Sequence, residues 1–110
     1  VRAVAVAKNA FKLRKQTYFL AAQTAAVFNT MIEESILHID DSYRGEAYGA
    51  ETNDALEAQR LFAMKEGLVL DTVYTAKAAA GLLGDVRHGK IPPGSTVVFI
   101  HTGGSPKLFA

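Results

Sequence analysis

Three clusters of side chains in this sequence could do chemistry. Tyr43 and Tyr48 share one glycine-containing stretch, Tyr74 is followed by Thr75, and Thr102 precedes Gly103-Gly104. Phenol and threonine hydroxyls both donate and accept hydrogen bonds, and glycines let backbone approach a ligand closely. Each cluster also has an ordinary structural use. Tyrosine rings pack on a surface and bond a carbonyl, threonine caps a helix, and paired glycines punctuate turns. Taken singly, the structural use is the commoner one.

Other chemistries find less support. With no cysteine, disulfides, thiolate catalysis and cysteine-ligated zinc are excluded. His38, His88 and His101 lack metal-ligand spacing and read as structural or surface residues, so no metal site is expected. Glu33-Glu34 and Asp40-Asp41 are sequence neighbours whose side chains should diverge into solvent. Phosphate-cradling motifs of the dinucleotide or P-loop type are absent. No lysine reads as a buried amine; Lys77 lies near Tyr74, but its helix neighbours suggest a solvated position.

The elements that must position these groups follow from patterning. Val1 to Ala7 reads as a buried strand, entered without an initiator methionine as if in mid-protein. Tyr18, Ala21, Ala22, Ala25 and Phe28 recur at helical spacing, while Lys12, Arg14 and Lys15 stay solvated. Ile36 to Ile39 reads as a second strand, followed by an ordered loop over Ser42 to Glu51. Thr52, Asn53 or Asp54 caps a helix with Ala55, Ala58, Leu61 and Phe62 on its apolar stripe, ended by Gly67. Leu68 to Leu70 is a brief apolar stretch. From Thr75, a plausible cap, Ala76, Ala79, Ala80 and Leu83 mark another helix that Gly89 stops. Thr96 to Ile100 is the clearest strand, and Ser105-Pro106 could open one more helix.

Strands separated by helices predict an α/β fold with a parallel sheet and helical crossovers. The 110 residues, 49% hydrophobic and 21% charged, suit one globular domain or part of one. A net charge of +1 argues against a nucleic-acid surface. No membrane span is expected, since Leu20 to Phe28 is broken by Gln23 and Thr24. Ligands of open α/β sheets bind beyond the carboxyl ends of the strands. The tyrosines, Thr75 and the Thr102-Gly103-Gly104 turn all fall there, which points to a ligand cleft without naming its chemistry.

Three segments then resemble one family. Glu66 to Ala78, "EGLVLDTVYTAKA", is similar to a characteristic segment of D-cysteine desulfhydrases and 1-aminocyclopropane-1-carboxylate deaminases. So are Val98 to Ala110, "VFIHTGGSPKLFA", and Tyr43 to Gly49 with Glu57-Ala58 and Arg60-Leu61. The likeness covers about two-thirds of the chain and preserves the spacing between the three motifs. It implies a pyridoxal-phosphate enzyme of the tryptophan-synthase-β-like fold, with residues 1–110 forming the C-terminal part of its large domain. The lysine that holds the cofactor and the loop that cradles its phosphate are implied to lie upstream of Val1, in an N-terminal portion that is absent here.

The resemblance also implies roles. Tyr48 and Tyr74 match active-site tyrosines facing an amino-acid substrate; Thr75 and Thr102 match positions beside the pyridine nitrogen; Gly103 and Gly104 match the turn passing close to the ring. Deaminases resembling this sequence carry Glu at the place of Thr75 and Leu at that of Thr102. A neutral hydroxyl there makes the ring a weaker electron sink than a carboxylate does. That suits expulsion of a good leaving group such as thiolate, and so implies a desulfhydrase releasing pyruvate, hydrogen sulfide and ammonia from D-cysteine. Deaminase or L-cysteate sulfo-lyase activity and a non-catalytic α/β binding module are the alternatives. Thr72 and Ala76 stand where the family has proline and glycine, and Ala50 to Asn53 replaces its usual loop. A cytoplasmic homodimer is the expected setting.

Overall fold

In the computed structural model, which describes residues 1–106, the apolar opening pairs as a strand over Arg2–Val4 (β1). Its partner is His38–Asp40 (β2), aligned parallel with Arg2 opposite His38 and Val4 opposite Asp40. A parallel pair needs a long crossover, and helix Ala10–Val27 (α1) supplies it. Asn9 caps α1, its side chain accepting from the Lys12 N–H at 2.9 Å. The Ala10 N–H donates to the Asp41 carboxylate at 2.8 Å, tying the start of the crossover to the end of β2. Asp41 is thus half-buried and engaged, and Asp40 pairs with Arg2 at 2.6 Å. The two carboxylates diverge as expected, but neither is freely solvated.

Several expectations shift. The second strand sits later than Ile36–Ile39, because Glu34–Ile36 winds into a 3₁₀ turn whose bond from Leu37 N to Glu34 O removes those groups from pairing. Ala25 is buried as its spacing predicts, with Tyr18, Ala21 and Ala22 half-buried. Phe28, expected on the same face, is 74% exposed. The helix ends at Val27, so Phe28 has left the helical path.

Helix Asn53–Glu66 (α2) starts and stops where local chemistry dictates. The Thr52 hydroxyl accepts from the Ala55 N–H at 3.2 Å, and Gly67 turns the chain out with φ +66°, a conformation that glycine adopts without a Cβ clash. Helix Thr75–Arg87 (α3) packs against it. Ala55 and Ala58 of α2 meet Ala76, Ala79 and Ala80 of α3 with Leu70 between, and Phe62 and Phe99 close the edge. Small side chains let the two backbones approach closely, and burying Leu70 adds about 2 kcal/mol. Asp85, buried near the end of α3, pairs with Arg2 of β1 and with Lys90. That binds the helix pair to the sheet.

Neither the apolar stretch Leu68–Leu70 nor the expected strand Thr96–Ile100 forms a ladder. The described residues hold a two-stranded sheet, β1 and β2. In Leu68–Leu70 the carbonyls turn to side chains instead: Gln59 Nε2 donates to Leu70 O at 2.6 Å, and the His101 ring lies 3.3 Å from Val69 O. Thr96–Ile100 is rich in β-formers, yet Val98 is 83% and Ile100 77% exposed. A strand needs a neighbour's N–H and C=O groups, and none of the described residues offers them to this segment. Lys77, expected in solvent, is fully buried on α3. Lys107 to Ala110, and with them most of the helix expected after Ser105-Pro106, lie outside the described residues. Among those residues no helix is long and apolar enough to cross a membrane.

Candidate functional site

The site is built on a carboxylate that the sequence reading passed over. Thr75 was the expected cap of α3, but it is the first helical residue; Tyr74 stands at the cap position with no side-chain cap bond of its own, and the Asp71 carboxylate takes up the N–H groups of this turn. Asp71 Oδ2 accepts from the N–H groups of Val73 and Tyr74 at 3.0 Å each. Its Oδ1 accepts from the Thr75 N–H and the Thr75 hydroxyl at 2.8 Å each. Thr75 Oγ1 in turn accepts from the Asp71 N–H at 2.9 Å. A carboxylate offers more acceptor sites than a hydroxyl and favours a helix N-terminus electrostatically, so it outcompetes Thr75. Burial alone would raise the pKa of Asp71; the bonds from Thr75, Tyr74 and Val73 outweigh it and hold the carboxyl below its usual range.

This cap fixes the Asp71–Thr75 turn and projects Tyr74 from it. Tyr48 reaches the same point from the Asp41–Glu51 loop, where Gly45 and Gly49 adopt φ +80° and +79°. The two phenol oxygens are hydrogen-bonded to each other, with ring centroids 6.1 Å apart and an edge-on angle of 61°. Tyr48 is 62% and Tyr74 37% exposed, so the pair presents its hydroxyls to an open surface. The bond to Tyr48, then desolvation and neighbouring negative charge, raise the pKa of Tyr74. Tyr74 therefore keeps its proton at neutral pH and can donate it in a hydrogen bond.

The glycine turn also reaches Asp71. Gly103 and Gly104 have φ +93° and +94°. A Cβ on Gly104 would lie 2.8 Å from Asp71 Oδ1, while open space faces Gly103. His101 braces the turn, its Nδ1 accepting from the Gly103 N–H at 3.1 Å. Thr102 is exposed, and among the described residues its hydroxyl makes no hydrogen bond.

The structure thus brings Tyr48 to Tyr74, and Thr75 and Gly104 to Asp71, with Thr102 and Gly103 on the adjoining turn. Asp71 and His101 hold the arrangement without having been singled out by sequence. The signal for Asp71 was its place four residues before Thr75, where a carboxylate can fold back on a first helical turn.

Whether these residues suit a flat, anionic, aromatic cofactor can be judged from the turn itself. Backbone without side chains, free space before Gly103 and an uncommitted hydroxyl on Thr102 fit the edge of such a ring. The Thr75 proton, by contrast, is committed to Asp71. A site-poised amine is not among the described lysines. Lys8, Lys12, Lys15, Lys65 and Lys90 are exposed, and Lys77 donates to the Arg44 carbonyl at 2.7 Å.

Known proteins resemble much of this chain. The chain is 42% identical over 74 residues to D-cysteine desulfhydrase of Salmonella newport (strain SL254), covering 67% of this chain and 23% of that protein. The same figures hold for D-cysteine desulfhydrase of Salmonella heidelberg (strain SL476). The chain therefore spans about a quarter of the length of these relatives. Among solved structures, an ACC deaminase homologue superposes with a TM-score of 0.67 at 27% identity, covering 81% of this chain and 27% of that one. Residues 3–103 match the family model described as "Pyridoxal-phosphate dependent enzyme", and with the parallel α/β unit and the glycine turn in place, the chain belongs to that family.

Proposed function

We propose that this chain forms part of a lyase that converts D-cysteine and water to pyruvate, hydrogen sulfide and ammonia. The observation that carries the reading is the Tyr48–Tyr74 hydroxyl pair, with Tyr74 held by the Asp71 carboxylate. Similarity to D-cysteine desulfhydrases supports the choice of substrate. When bound, pyridoxal phosphate supplies the electron sink that loosens the α-hydrogen of an amino acid and lets a β-substituent depart.

The chain's own residues then divide the work. Thr102 would donate a hydrogen bond to the ring nitrogen, being the threonine whose proton is uncommitted. Gly103 and Gly104 would give the ring clearance. Thr75 orients the turn through Asp71 and would stand beside the ring. Tyr74, which holds its proton, hydrogen-bonds the departing sulfur, and Tyr48 orients Tyr74. The anchoring lysine and the phosphate loop would come from polypeptide beyond this chain, and the intact enzyme would be a cytoplasmic homodimer.

The test is a substrate panel on the full-length protein: D-cysteine, L-cysteate and 1-aminocyclopropane-1-carboxylate. Sulfide release from D-cysteine is expected to dominate. Preferential ammonia release from the cyclopropane substrate would install the deaminase instead, a reading favoured by the superposed ACC deaminase homologue. Sulfite release from L-cysteate would mark a sulfo-lyase. A colourless protein, lacking bound cofactor, would mark a binding module.

A further inference from the structure

Lys77 is, with Leu70, the largest of the fully buried side chains among the described residues. Its ammonium donates to a neutral partner, the Arg44 carbonyl, at 2.7 Å, and among the described residues no carboxylate pairs with it. Burying an ammonium without a counter-charge is unfavourable, and the same burial pushes its pKa down. An apolar side chain of similar length would fill the space without that cost. What the ammonium holds is therefore informative.

It holds the loop that delivers Tyr48. Arg44 lies four residues before Tyr48, next to Gly45 with φ +80°. The loop rests on α3 at a second point, where the Tyr43 ring lies over Gly81 and Gly84; a Cβ on Gly84 would come within 2.9 Å of Tyr43 Cζ. Lys77, Gly81 and Gly84 are spaced i, i+4 and i+7, so one face of α3 grips residues 43–44. The opposing phenol, Tyr74, stands at the entry to the same helix. Both tyrosines are thus referenced to one rigid element, Tyr74 through the Asp71 cap and Tyr48 through the loop anchored by Lys77.

We infer that Lys77 is a positioning residue, which sets Tyr48 against Tyr74 by holding the Arg44 carbonyl from inside the fold. The inference rests on the tyrosine pair being the working part of the site, and it concerns how that pair is kept in register. Small misplacements of reacting groups cost up to about 100-fold in rate.

The experiment uses the full-length, cofactor-loaded protein with whichever panel substrate it turns over fastest. Lys77→Met is expected to lower kcat at least about tenfold, with KM and the cofactor's absorbance little changed. Lys77→Arg, which keeps a buried donor, should recover part of the loss. Combined with Tyr48→Phe, Lys77→Met should cost less than about twofold more, because both act through one contact. Effects that multiply instead would overturn the inference, as would a Met variant with normal kcat and merely lower thermal stability. Should Lys77→Met fail to fold, Lys77→Gln is assayed the same way, and failure of both would assign Lys77 to general stability. The two ideas fail separately. Preferential turnover of another panel substrate by the wild type removes the proposed function, whereas an unchanged kcat in Lys77→Met beside an impaired Tyr48→Phe removes the lysine.

Discussion

Two apolar regions of this molecule meet different fates. The junction of α2, residues 68–75 and α3 buries Ala58, Leu70, Ala76 and Ala79 and satisfies every polar side-chain atom it buries. The segment Thr96–Ile100 is at least as apolar, yet Val97, Val98 and Ile100 face outward and only Phe99 joins the core. Hydrophobic content is alike; what differs is the supply of a partner. The helices bring their own hydrogen bonds and need one apolar stripe covered. A strand must borrow a neighbour's. The candidate site lies where the self-sufficient region touches the dependent one, at the contact of Gly104 with Asp71.

That contrast can be broken at several points. The largest effect should come from Tyr74→Phe in the full-length enzyme, with kcat falling about 100-fold, the low end for a positioned proton donor. Cofactor binding, followed by absorbance, should barely change. Unchanged turnover would mean that the junction positions nothing reactive. Asp71→Ala should come next, lowering unfolding free energy by about 3 kcal/mol, since it removes a cap and leaves buried N–H groups unpaired. A loss under about 1 kcal/mol in denaturant titration would show that the turn is held by its other contacts instead.

Gly84→Ala should cost about 2 kcal/mol by overpacking against Tyr43. If thermal melting is unaffected, the loop is not seated on α3. The smallest effect is acid sensitivity. Asp71 and Asp40 have folded pKa values below their unfolded ones, so their contribution is full above the unfolded value of roughly 4. It is lost as pH falls through the folded values. Asp71→Asn should therefore flatten the decline in stability below about pH 4; an unaltered slope would place the titrating group elsewhere.

How much of this was legible in sequence depends on the range of the forces involved. The ends of α2 could be read directly, because Thr52 and Gly67 act within one turn. The stripe of Ala76, Ala79 and Ala80 was equally plain. The cap of α3 was misassigned because two good cappers, Asp71 and Thr75, stand four residues apart, and only geometry shows which accepts from which. Burial of Lys77 was missed because lysine defaults to solvent. Yet it lies on the same helix face as Gly81 and Gly84, against which the Tyr43 ring of the loop packs. The pairing of Tyr48 with Tyr74 joins a loop to a helix entry across 26 positions, and periodicity carries no information about such a meeting.

The outward row of Val97, Val98 and Ile100 has a bearing on handling the polypeptide. From Ser95 to His101 the chain carries no acidic residue, lysine, arginine or proline, and its backbone pairs with no strand among the described residues. Such a window templates an identical one, stacking copies edge to edge. Pro92-Pro93-Gly94 before it and Gly103-Gly104 after it confine the sticky stretch to a few residues. A single lysine introduced at Val98 should therefore keep a preparation of these 110 residues clear where the parent sequence turns cloudy.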